Sequence, residues 1–288
     1  MRAMCALRHL ATIAVLSAAA GCQEAAVPAR AGLVALPDLL REVSGIAWVD
    51  EQTLACVQDE AGTLFLVDPV RGELRRTLRF AGPGDYEGLA RTPAAYWVLR
   101  SDGELTEYRE GRDGSGAPSL ERGRRLRLDL PHDDFEGLAH DAAHGRLLLA
   151  AKDRPRGRDA RDLRRIWAVD LATARLTREP LLELDVDRIR DELAELAKRS
   201  GKKGKRPALD LTISELAVDP RRDELLILSA ADRALIWLDR AGHALAMLRF
   251  EESELPQPEG LAVLQDGRVL VASEAAGGVA RLLVVERP

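Results

Sequence analysis

Phe135-Glu136-Gly137-Leu138-Ala139 returns along the chain. Glu87-Gly88-Leu89-Ala90 and Glu259-Gly260-Leu261-Ala262 repeat its last four residues, and Ser44-Gly45-Ile46-Ala47 and Ser214-Glu215-Leu216-Ala217 repeat them with substitutions. Aligned on the alanine, the first position reads Ser, Glu, Glu, Ser, Glu. A short motif that recurs at long, similar intervals marks a repeat architecture, each copy heading one supersecondary unit. The alanine-to-alanine intervals are 43, 49, 78 and 45 residues, around the ~40–50 residues of a propeller blade.

The segments between motifs read as short strands separated by turn residues. The first unit has strands at 43–49, 53–58, 63–68 and 74–80, a four-stranded meander of the kind that makes one blade. The second has 87–91, 96–100, 104–109 and 126–130, and its glycine-rich, charged tract 110–124 reads as a loop. The third is drawn from 135 onward, 146–151, 165–170 and 180–184, and the fourth from 211–218, 224–229, 234–239 and 244–250. The fifth has only 259–264, 268–273 and 281–285. The unassigned strand 32–36 can complete it, closing the ring and hiding both edges. The expectation is an all-β, five-bladed β-propeller closed by an N-terminal strand. The 78-residue interval leaves a six-bladed ring as the alternative. Within that interval Val186, Ile189, Leu193, Leu196 and Ala197 share one helical face, and the sequence SGKKGKR at 200–206 reads as a basic loop. The segment 185–206 is therefore read as an insertion in a single domain spanning 32–288.

The first 21 residues have the pattern of an export signal: Arg2 and Arg8, then an apolar run. Ala19-Ala20-Gly21-Cys22 is similar to a bacterial lipobox, which makes Cys22 the lipidated first residue and 22–31 a tether. Gln23 favours the outer membrane, with the soluble domain in the periplasm; a cleaved signal and secretion to the periplasm is the alternative. Loss of Arg2 and Arg8 leaves 40 basic against 47 acidic residues, a formal charge of −7. This acidic balance argues against nucleic acid as a partner and leaves membrane attachment to the lipid alone. Cys56 is then the one cysteine besides Cys22, so no disulfide framework is expected. The domain is expected to act as a monomer.

In a propeller the first strand of each blade surrounds a central channel, so Glu87, Glu136 and Glu259 point toward one axis. At ~8 Å and an effective dielectric near 20, each like-charged pair costs about 2 kcal/mol, and three pairs roughly 6 kcal/mol. A hard divalent cation relieves this. Three carboxylates with the Ser44 and Ser214 hydroxyls make an all-oxygen shell of the kind Ca2+ takes. The alternative is that these side chains bond backbone groups at blade junctions. Second-strand exits share the channel mouth and carry Asp59, Glu60, Asp102, Asp153, Asp232 and Glu274, interleaved with Lys152, Arg154 and Arg233. They are candidates for holding a polar or phosphorylated ligand, or are turn-forming and ion-paired residues. His132 lies near the third motif, but no Ser/His/Asp set can be assembled from spacing.

The runs Leu36-Pro37, Glu42-Val43-Ser44-Gly45-Ile46-Ala47-Trp48 and Val57-Gln58-Asp59-Glu60 resemble the SdiA-regulated (YjiK-like) family of bacterial envelope β-propellers. Gly84-Asp85-Tyr86-Glu87-Gly88, Asp134-Phe135-Glu136-Gly137-Leu138-Ala139 and Pro256-Gln257-Pro258-Glu259-Gly260 extend the resemblance. It implies a periplasm-facing propeller. The Ser, Glu, Glu, Ser, Glu order is also similar to the central calcium shell of five-bladed calcium-activated nucleotidases (apyrases), which implies calcium on Ser44, Glu87, Glu136, Ser214 and Glu259. The functional expectation is a calcium-stabilised envelope lipoprotein that binds an envelope protein or small polar ligand at the channel mouth. The alternative is a calcium-dependent hydrolase of phosphate esters or nucleotides, with Asp59, Asp102, Asp153 and Arg154 nearest the chemistry.

Overall fold

The computed structural model describes residues 32–130, 134–152 and 163–288. The segments read above as a signal and a tether with Cys22, and His132, Asp153 and Arg154, lie outside the described residues. The described chain folds into five antiparallel sheets arranged as a ring of blades. Blade 1 is β2 (Val43–Asp50), β3 (Thr53–Gln58), β4 (Ala61–Val67) and β5 (Leu74–Pro83), and blade 2 is β6 (Tyr86–Thr92), β7 (Ala95–Arg100), β8 (Glu104–Arg112) and β9 (Pro118–Arg127). Blade 3 comprises β10 (Phe135–Asp141), β11 (Arg146–Ala151), β12 (Leu163–Asp170), β13 (Arg175–Leu176) and β14 (Leu182–Asp185). Blade 4 is β15 (Glu215–Asp219), β16 (Glu224–Ser229), β17 (Ala234–Leu238) and β18 (Ala244–Arg249). Blade 5 is β19 (Gln257–Val263), β20 (Val269–Glu274), β21 (Arg281–Val285) and, outermost, β1 (Val34–Ala35). The N-terminal strand closes the ring, with Val34 opposite Leu282 and Ala35 opposite Arg281.

The long interval holds a helix rather than a sixth blade. α1 (Val186–Arg199) starts at Asp185, whose carboxylate accepts from the backbone N–H groups of Asp187 and Arg188, filling two of the donors a helix start leaves unpaired. Its buried residues Val186, Ile189 and Leu193 join the core shared by blades 3 and 4. The tract 110–124 differs from its reading as a loop. It forms the ends of β8 and β9, which continue as a hairpin around Asp113. Its charges are tolerated because the hairpin projects into solvent, where strand pairing needs no buried face.

The five motifs set how blades meet. The core divides into five clusters, one per junction. In every copy the leucine or isoleucine packs into the junction with the preceding blade, and the alanine into the junction with the following one. Leu138 joins Ala90 and Leu99 of blade 2, while Ala139 joins Leu216 and Ile227 of blade 4. The motif glycines share the alanine side. A Cβ on Gly88 would stand 2.8 Å from the backbone oxygen of Glu136, and one on Gly137 2.8 Å from Leu216 Cγ. Large residues thus fit against small ones around the whole ring.

Gly88→Ala is therefore expected to cost about 1–3 kcal/mol through overpacking, measured by urea unfolding. Gly114→Ala, at a position with nothing within 4 Å, is expected to change stability by less than about 0.5 kcal/mol.

Candidate channel site

Four of the five inner strands begin with a register break. The pairing of β2 with β3, β6 with β7, β10 with β11 and β19 with β20 is irregular between Val43 and Gly45, Tyr86 and Gly88, Phe135 and Gly137, and Pro258 and Gly260. Ser44, Glu87, Glu136 and Glu259 are thus the extra residues of β-bulges. A bulge bends its strand and re-aims a side chain. Ser214 holds the equivalent place: its N–H bonds the Leu228 carbonyl, directly before the Glu215–Leu228 pairing. The five residues named from the sequence therefore occupy equivalent positions at one end of the channel.

Their chemistry differs. Ser44 Oγ donates to the Tyr86 carbonyl, 2.6 Å away, and Ser214 Oγ to the Pro258 carbonyl at 3.0 Å. Each acceptor immediately precedes the glutamate of the following blade, so both serines staple a junction and keep oxygen lone pairs. The glutamates act on one another. Burial, then the Glu136 charge, pushes Glu87 up to about 9. Burial and Glu259 push Glu136 to about 8, and burial and Glu274 push Glu259 to about 8. Glu274 rises to about 7, through burial and then Asp59 and Glu42. Burial and the neighbouring carboxylates, Glu42 first, raise Asp59 as well.

Two channel residues have roles that the sequence did not single out, Glu215 at the ring and Lys152, named only as a mouth charge. Glu215 is fully buried and accepts from the backbone N–H groups of Leu138, 2.7 Å, and Leu216, 2.8 Å. It caps donors on the inner strand edges, which have no further strand to pair with. Burial, with Glu136 and Glu259 nearby, raises it well above an ordinary carboxylate. Its signal was visible: the fourth motif has glutamate where the other four have glycine. The second is Lys152, which closes β11 and forms an ion pair with Glu136. It also lowers Glu87, Glu259 and Glu274. Glu136 Oε2 and Glu215 Oε2 are buried without a hydrogen-bond partner among the described residues. In the same set, no three His, Cys, Asp or Glu side chains stand in a metal-holding group.

The mouth candidates separate into two sets. Asp59 and Glu274 belong to the channel electrostatics. Asp102 instead bonds Arg127 at 2.9 Å and the N–H of Glu104. Asp232 accepts from the N–H groups of Asp210 and Leu211 and from Ser229 Oγ, fastening the segment that enters blade 4. Arg233 turns to Glu252, 3.7 Å away, and Glu60 is exposed.

Fold and channel together define a five-bladed β-propeller with a carboxylate-lined axis. The profile described as SdiA-regulated matches residues 29–276, and the chain belongs to that family. No curated protein matches the sequence. The structure of Myxococcus xanthus glutaminyl cyclase is similar, with a TM-score of 0.57 at 14% identity, over 89% of this chain and 97% of that one. A nidogen/laminin complex gives 0.48 at 14% identity, over 80% and 72%. At such identity the first likeness bears on fold alone, and the second adds nothing to it.

The raised carboxylates fix the sign of a pH dependence. A group whose folded pKa exceeds its unfolded value stabilises the fold at low pH, and that contribution is lost as pH rises. For these glutamates the window runs from about 4.5 up through the folded values of about 7 to about 9. The metal-free domain is expected to melt at a lower temperature at pH 9 than at pH 6. Glu87→Gln is expected to flatten that slope, measured by thermal unfolding in chelator across the range.

Proposed function

We propose that the protein is a calcium-stabilised β-propeller lipoprotein of the cell envelope, anchored through Cys22 in the outer membrane with its propeller in the periplasm. It binds a small polar ligand or an envelope partner protein at the acidic channel mouth. The observation that carries this reading is the charge imbalance on the axis. Glu87, Glu136, Glu215 and Glu259 crowd into one buried ring, and Lys152 is the cation that acts on it. The donors suit a hard cation: they are all oxygens, and two buried carboxylate oxygens have no partner among the described residues. Glu87, Glu136 and Glu259 would hold the ion, with Ser44 and Ser214 supplying neutral oxygens from the junctions. Calcium would supply the countercharge that lets these carboxylates ionise together. Lys152 competes with the ion for Glu136 and keeps the ring folded without it. Asp59 and Glu274 face the opening and would meet a polar ligand there.

The hydrolytic alternative finds less support. Asp102, one of its four residues, is held by Arg127 at 2.9 Å.

Calcium at a hundred-fold excess over its dissociation constant is expected to stabilise the domain by about 2.7 kcal/mol, raising Tm by several degrees, with chelator reversing the gain. Glu136→Gln is expected to weaken calcium binding measured by titration calorimetry. Lys152→Met is expected to strengthen it while lowering the stability of the metal-free domain. Calcium affinity unchanged in both variants rules out the axial site.

A further inference from the structure

Lys198-Arg199-Ser200-Gly201-Lys202-Lys203-Gly204-Lys205-Arg206 holds six cations and no carboxylate, in a chain whose formal charge is −5. All six are exposed. Local structure accounts for three of them. Lys198 pairs with Glu195. Arg199 ends α1, where a cation meets the negative end of the helix dipole. Arg206 reaches back to Asp187 at 2.7 Å and Asp191 at 2.9 Å. Lys202, Lys203 and Lys205 have no ion pair among the described residues. They are nevertheless held in place. Gly201, at φ +71° to +81° like other left-handed turn glycines (here +75°), ends the helix, and the Lys202 N–H bonds the Ala197 carbonyl at 2.9 Å in the manner of a helix C-cap. The three lysines thus stand on a fixed turn at the end of a helix seated in the core of blades 3 and 4. The loop then returns to the ring beside β18, where Arg249 donates to the Ala208 carbonyl. Arg249 also lines a groove with Gly32 and Leu33, so the chain enters the propeller on the side where the basic loop rejoins it. Leu33 is exposed there.

We infer that the 198–206 loop is a docking surface for an anionic phospholipid bilayer, with Lys202, Lys203 and Lys205 set among the phosphate headgroups. Clustered lysines are drawn to the negative potential of such a surface, each contributing separately. The net acidity of the chain does not oppose this, because screening confines the interaction to charges within about 10 Å of the headgroups. A segment entering at Gly32 and a basic loop on the same side give two points of attachment, one lipid and one electrostatic. The loop would thereby fix which side of the ring faces the membrane. Only that orienting role rests on the lipoprotein reading; the attraction of the lysines for anionic headgroups does not.

The test is co-sedimentation with vesicles of the chain from Gly32 onward, which holds all five blades and the closing strand. Binding is expected to vesicles of phosphatidylcholine with about a third phosphatidylglycerol, and not to phosphatidylcholine alone. Raising salt from about 0.1 M to about 1 M is expected to abolish it. Replacing Lys202, Lys203 and Lys205 together by Gln is expected to weaken it by about five-fold per lysine. The same change at Arg76, Arg112 and Arg122, exposed cations of blades 1 and 2, is expected to leave it unaltered, with the melting transition retained in both triple variants. No binding to the anionic vesicles, equal binding to the neutral ones, or equal loss in the two variants overturns the proposal. Displacement by millimolar inorganic phosphate at constant ionic strength also overturns it, by assigning the lysines to a free anion. Because this chain lacks Cys22, its failure to bind leaves the lipid anchor itself standing.

Discussion

The close approach of five inner strands around one axis is the constraint from which the rest follows. Strands that converge so tightly need a thin side, and Gly88, Gly137 and the motif alanines provide it. They also need a filler from the next blade, which the motif leucines supply. Each inner strand reaches the axis with one edge unpaired, and in four of the five the residue at motif position one is displaced in a bulge that re-aims its side chain. The same geometry that makes the ring pack therefore gathers the residues at motif position one. Had those residues been apolar, the channel would be a plugged core. Because three are glutamates and a fourth glutamate follows Ser214, it is an electrostatic site.

Charge decides how that site behaves. Burial alone raises each carboxylate, and mutual repulsion raises them further, so the ring retains protons into the neutral range. Lys152 offsets part of this load through Glu136. The two serines take no part in the charge balance. They hold blades 1 and 2, and blades 4 and 5, together at the depth of the ring. A ring of this kind is poised between protons, an internal ammonium and an external cation.

Much of this was legible because the repeat makes equivalent positions visible. The blade count, the closing strand and the shared depth of Ser44, Glu87, Glu136, Ser214 and Glu259 follow from aligning five alanines. Features that break the repeat were not legible by that route. Glu215 sits at a glycine position, so alignment on the first residue passes over it, although the substitution is plain in the sequence. Lys152 has no counterpart in the other blades, and only the fold brings it to Glu136. Asp102 and Glu274 lie at the same distance from their motif alanines, yet Arg127 on a neighbouring strand draws Asp102 away. Asp232 is taken up by backbone donors of the segment that enters blade 4. Charged composition misled at 110–124, where an exposed hairpin can carry charge on both faces.

The most direct measurement is anomalous diffraction from crystals of the domain grown with calcium at neutral pH. The account predicts a peak on the channel axis among Glu87, Glu136 and Glu259, with the Lys152 ammonium displaced from Glu136. An axis without a peak, and Lys152 still paired with Glu136, would contradict it.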